Sequence, residues 1–162
     1  MPQNIRCQVS SNLFKKEINK LLGAPAPARY FLYGTKTKNT LHIRLRTDTL
    51  PLNAYLYQIQ KSLTPGCPCG AHIENSKHFI LNCPLYDTHR HALINILLVH
   101  NIDARHIQQT QLLNIIATGT TLQAEQGRAV AGAVQNFIQS ALNTRSRVVS
   151  GGGGGGASPS GA

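Results

Sequence analysis

The chain has 162 residues, 41% of them apolar and 14% charged, and sixteen lysines and arginines stand against six acids for a net charge of +10. That length fits one compact domain, the composition is globular rather than disordered, and no run approaches the roughly 18 uninterrupted apolar residues of a membrane span. The excess of positive charge points to a polyanionic partner, RNA or DNA, held through contacts that weaken with salt.

The charge is uneven. Residues 1–66 hold ten basic and two acidic side chains, a net +8, whereas residues 67–162 hold six and four, a net +2. The first residues lack the apolar core of a secretory signal, so none is expected. Three of the four cysteines lie between positions 67 and 83, too crowded for a disulfide framework, and reduced thiols in an intracellular compartment, cytoplasm or nucleus, are expected.

Residues 1–25 read as a basic helical segment. Leu13, Phe14, Ile18, Leu21 and Leu22 recur at helical spacing between Lys15, Lys16 and Lys20, and Gly23 with Pro25 ends the pattern. Residues 24–28 alternate Ala and Pro as an extended linker, and Tyr30, Phe31 and Tyr33 follow before a turn at Gly34. The main domain is expected over residues 26–145. In it Leu41, Ile43 and Leu45 alternate with His42, Arg44 and Arg46 as a strand would, yet the Leu41 and Leu45 pair also suits a helix, and a helix is the expectation. Pro51 can open a further helix with Leu52, Leu56, Ile59 and Leu63 on one face, closed by Thr64-Pro65-Gly66.

Pro84 opens the most strongly patterned segment, with Leu85, His89, Ala92, Leu93, Ile96, Leu97 and His100 on one stripe that stops near Asn101. Leu112, Leu113, Ile115 and Ile116 predict a short helix closed by Gly119. A last helix of about twenty residues is expected from Leu122 through Ala129, Val130, Ala133, Val134, Phe137 and Ile138 to Leu142. Residues 146–162 include six consecutive glycines and read as a flexible tail, because such a sequence has nothing apolar to bury against its own entropy.

Cys67-Pro68-Cys69-Gly70, then His78, then Cys83 supply three thiols and one imidazole, the closed donor set of a structural zinc. A Pro-Gly turn can present the first two cysteines from a loop, His78 projects from a short helix, and Cys83 returns at its end. One residue between Cys67 and Cys69 is tighter than the usual two to four, and the competing reading is a set of buried apolar thiols. Gly70 is expected to let the backbone pass close to the sulfurs. His72, His89 and His91 are possible substitute ligands, though each reads more simply as a solvated or half-buried histidine. The fold expected is therefore mostly α: a small helical domain with an inserted zinc-knuckle turn and a disordered Gly-rich tail.

Residues 26–142 resemble the region downstream of the polymerase in LINE-type (non-LTR, jockey-like) retrotransposon reverse transcriptases. The matching elements are Tyr30-Phe31-Leu32-Tyr33-Gly34, His42-Ile43-Arg44-Leu45-Arg46, Pro51-Leu52-Asn53-Ala54-Tyr55-Leu56, and the cysteine cluster with Glu74, His78, Phe79, Cys83, Pro84, Tyr86 and Arg90. That family commonly carries the closely spaced cysteines. The resemblance implies a zinc-binding and nucleic-acid-binding C-terminal appendage, with the polymerase domain of a retrotransposon protein as a further partner.

No catalytic constellation accompanies the cluster. Asp48, Asp87 and Asp103 are each isolated in sequence, unlike the paired aspartates that hold two magnesium ions for phosphoryl transfer, so no polymerase or endonuclease activity is expected. Lys36, Lys38, Arg44 and Arg46 beside Tyr33 combine phosphate-pairing cations with a stacking ring; the same aromatics could instead anchor a core above a solvated basic face. The competing function is an appendage that only braces a larger polymerase and binds no nucleic acid itself.

Overall fold

The computed structural model describes residues 34–119 and 121–151. The basic segment within residues 1–25, the linker, Tyr30, Phe31, Tyr33 and the glycine run beyond residue 151 lie outside them. The described elements, in order, are α1 (Lys36–Arg46), α2 (Asn53–Gln58), a π-helical turn (His78–Asn82), a 3-10 turn (Pro84–Tyr86), α3 (Asp87–Val99), α4 (Gln109–Thr118) and α5 (Ala124–Gly151). No strand occurs among the described residues, and the mostly helical expectation holds.

α1 settles the ambiguity between strand and helix. Thr35 caps it, its side-chain oxygen accepting the Lys38 N–H at 3.4 Å. The helical period sends His42 and Leu45 inward while Ile43 stays 42% exposed, which a two-residue period would not do. His42 Nε2 lies 3.2 Å from the Ala117 carbonyl oxygen, so α1 is pinned to the end of α4. There Gly119, at φ 57°, supplies the left-handed cap that its position predicts.

α2 is shorter than its apolar spacing implies. It covers only Asn53–Gln58, and Gln60 turns left-handed at φ 58°. The Lys61 N–H bonds back to the Leu56 carbonyl at 2.7 Å, closing the helix. Leu63, expected on the buried face, is fully exposed. The chain has turned toward the cysteine loop before Ile59 and Leu63 can use the stripe.

α3 begins at Asp87 because Pro84–Tyr86 is spent on the 3-10 turn. Leu93 and Leu97 are its buried residues, while Ile96 is 38% exposed. α3 and α1 pack against α5, and α4 closes on both α1 and α5. The centre of the core is Phe79, which meets Tyr86 at 4.8 Å and Phe137 at 5.5 Å between ring centroids. Cys67 and Cys83 belong to the same buried cluster. Burial of a side chain of this size contributes roughly 2 kcal/mol, so the cysteine segment is held by the core from which its aromatics come.

α5 buries Val130, Val134, Phe137, Ile138 and Ala141, a spacing of one helical stripe. The helix continues beyond Leu142 to Gly151, into residues that composition alone assigns to the tail. Arg145, one turn after Ala141 on the same face, finds a buried partner and carries the packed surface on. Among the described residues, no helix is long and apolar enough to cross a membrane.

Candidate metal centre

Two short pieces of chain present the four candidate ligands. The first is the loop of Cys67 and Cys69. The Cys67 N–H bonds to the Ala71 carbonyl at 2.9 Å and the Gly70 N–H to the Cys67 carbonyl at 2.9 Å, giving a tight turn. Gly70 sits at φ 96° with no atom within 4 Å of where a Cβ would stand. Its glycine answers to that left-handed backbone, and not to the expected close approach of the chain to the sulfurs.

The second piece is the π-helical turn. The Cys83 N–H bonds to the His78 carbonyl at 2.8 Å, a bond spanning five residues rather than four. The wider turn brings His78 and Cys83 to one side, where an α-helix would splay residues at this separation apart. The Asn75 side-chain oxygen accepts the His78 N–H at 2.8 Å, and Asp48 accepts the Ser76 N–H at 3.2 Å and the Ser76 hydroxyl at 2.5 Å. Arg90 closes the far end, its Nε donating to the Ile80 carbonyl at 2.5 Å and its Nη2 to the Cys83 carbonyl at 2.6 Å. Arg90 also forms an ion pair with Asp87.

The result is convergence. One ligand atom from each of Cys67, Cys69, His78 and Cys83 lies within 4.8 Å of every other. Cys67 Sγ and Cys83 Sγ are 3.6 Å apart, and Cys69 Sγ is 3.3 Å from His78 Nε2. A tetrahedral zinc has edges of about 3.8 Å between two sulfurs and about 3.5 Å between sulfur and nitrogen. Both measured edges fall within a few tenths of an ångström of these, and the donor set is compatible with that ion.

Burial pushes the Cys67 and Cys83 thiols up from their ordinary value. Burial acts the same way on Cys69, but its hydrogen bonds, first with the backbone at Ala71 and then with Cys67 and Cys83, outweigh it and lower that thiol. Burial lowers His78, with Arg90 adding to the effect and Glu74 opposing it, so the imidazole is neutral at pH 7, as ligation requires. A metal cation removes the cost of ionising buried thiols and would hold all four groups at once.

The other histidines stand apart from this group. His72 is exposed, and His91 is exposed on α3. His89 Nε2 lies 2.9 Å from the Thr144 hydroxyl oxygen, which ties α3 to α5.

The basic residues singled out by sequence do not form one patch. Lys36 and Arg44 are exposed and follow each other on the outer face of α1 with Thr40 between them, spanning about 12 Å. Lys38 points to α5, its Nζ donating to Asn136 Oδ1 at 2.8 Å. Arg46 is half-buried beside His42, and Tyr33 lies outside the described residues. Arg90, Arg105 and Arg145 are joined to carboxylates, and all three come from the second half of the chain.

Three residues that tie the loop down were given no role by the sequence, although Asn53 and Glu74 stand within the elements that carry the resemblance: Asn53, Glu74 and Arg145. Glu74 is fully buried and takes a two-pronged ion pair from Arg145, with Nε 2.8 Å from Oε1 and Nη2 2.8 Å from Oε2. The one available clue is an arginine at the next position of an otherwise apolar helix stripe, four residues after Ala141.

Fold and site together define a small, mostly helical domain carrying a Cys3His cluster that can hold a metal ion. No family model matches the chain, and neither a curated protein nor a solved structure matches it.

Proposed function

We propose that this chain is a zinc- and nucleic-acid-binding module without chemistry of its own, of the kind that follows the polymerase in LINE-type reverse transcriptases. The observation carrying the metal half is the convergence of Cys67, Cys69, His78 and Cys83 to within 4.8 Å. Four protein ligands complete a tetrahedron and leave no open position for a substrate, which is the mark of a structural zinc. The nucleic-acid half is supported by the net charge of +10 and by the exposed Lys36 and Arg44 on α1. Backbone phosphates are the polyanion that such a face suits, with little preference for sequence.

The first test is the zinc-to-protein ratio of reduced, purified chain by elemental mass spectrometry. A ratio near one is expected; folded protein without zinc overturns the metal reading. RNA and DNA oligonucleotides are then titrated at increasing salt. Log affinity is expected to fall linearly with log salt, and reversing Lys36 and Arg44 to glutamate should flatten the slope by about one for each phosphate no longer neutralised. Reversal of Lys38, already engaged by Asn136, should matter less. Binding insensitive to both salt and reversal would favour the bracing appendage instead.

A further inference from the structure

The loop that carries Cys67 and Cys69 is fastened by a buried polar chain that starts on α5. Arg145 Nη2 donates to Asn53 Oδ1 at 2.7 Å as well as to Glu74. Asn53 Nδ2 in turn donates to the Gly66 carbonyl at 2.6 Å, and the Asn53 N–H to Glu74 Oε2 at 2.7 Å. The Glu74 N–H reaches the Pro65 carbonyl at 2.8 Å, closing the base of the loop. The loop is thus tied immediately before Cys67 and again at Glu74, in the approach to His78.

Glu74 is fully buried and the Arg145 side chain only 11% exposed. A hydrophobic pair of like volume would often stabilise such a place as well or better, so stability alone does not explain an ion pair there. Shape does. A guanidinium can grip both carboxylate oxygens and the Asn53 amide at once, which a lysine ammonium or an apolar side chain cannot.

We infer that Arg145 is a positioning residue of the metal centre, holding the loop from Pro65 to Glu74 in its ligating form through Glu74 and Asn53. This rests on the cluster binding a metal ion. The helix beyond Leu142, where the sequence expects α5 to end, then serves the site 71 residues earlier.

The test titrates cobalt(II), whose absorption reports thiolate ligation and geometry, into full-length reduced wild-type chain, Arg145→Lys, and the double variant Arg145→Met with Glu74→Gln. Zinc affinity is taken from chelator competition, and helix content from circular dichroism. The double variant removes both buried charges, so it keeps the test open if a single change unfolds the chain. One cobalt per wild-type chain is expected, with affinity about 10- to 100-fold lower and altered ligand-field bands in both variants at unchanged helix content. Wild-type affinity and spectrum in the variants overturn the inference while leaving the metal site standing. A loss explained by unfolding of both variants overturns it too, since Arg145 would then be a general brace. A wild-type chain that takes no cobalt or zinc removes the metal reading and this inference together.

Discussion

Cys67 Sγ and Cys83 Sγ lie 3.6 Å apart although they stand sixteen positions apart in the chain. Both are buried, while Cys69 is partly exposed. Because the thiolate is the nucleophile, reactivity follows thiol pKa and access. In metal-free reduced protein Cys69 should therefore alkylate first, with Cys67 and Cys83 at least roughly tenfold slower, and one equivalent of zinc should protect all three. Timed alkylation read by peptide mass spectrometry gives the order; Cys83 reacting first would contradict it.

The same thiols set an alkaline limit. Cys67 and Cys83 are raised above the ordinary 9.0 by burial, so the stability they lend the metal-free fold is present below 9.0 and lost as pH rises through their folded values. Zinc binding should abolish that loss and release protons on loading. Melting curves from about pH 7 to about pH 10, with and without zinc, are the measurement.

His42 predicts an acid limit. Burial lowers it from 6.5, with Arg46 adding to the effect and hydrogen bonds to Ala117 and Ile116 opposing it. Its contribution is thus present above 6.5 and lost as pH falls, because the unfolded chain gains a proton that the folded one resists. His42→Gln cannot take that proton. The slope of melting temperature against pH below 6.5 should be shallower in the variant, and an unchanged slope would exclude His42 as its source.

Removal of a ligand should act locally. His78→Ala is expected to lose zinc and to speed amide exchange from Cys67 to Arg90, while the buried amides of α4 and α5 keep their protection. A zinc-replete variant with unchanged exchange would refute the ligand assignment.

Packing around the turn gives a contrast between two aromatic residues. Phe79 is completely buried between Tyr86 and Phe137, so Phe79→Ala should cost about 3–5 kcal/mol in chemical denaturation. Among the described residues, the buried Tyr86 hydroxyl has no hydrogen-bond partner. Tyr86→Phe should be neutral or stabilising by about 1 kcal/mol in the metal-free protein, since it deletes a desolvated group without a partner.

Much of this domain is legible in sequence where a single period rules. The α5 stripe, the Gly119 stop and the four residues that converge in the cluster follow from apolar spacing, turn chemistry and donor type. Leu41, Ile43 and Leu45 alternate ambiguously, and only the burial of His42 and Leu45 on one side decides for a helix. The Leu52 to Leu63 stripe misleads because spacing does not reveal that Gln60 turns left-handed. The ties of Asn53, Glu74 and Arg145 are illegible for another reason: an ion pair across 71 residues leaves no local period, and pairing depends on which helix faces which loop.

The position of α5 in the chain has a consequence for how the molecule is made. α1 and α3 both rest on α5, yet they leave the ribosome before it. Closing contacts over such separations costs chain entropy before any burial offsets it. Nascent chain ending short of Arg145 would expose its apolar faces and carry an unfastened cysteine loop. Packing of α1 and α3, and closure of the cysteine loop, are thereby deferred until α5 emerges.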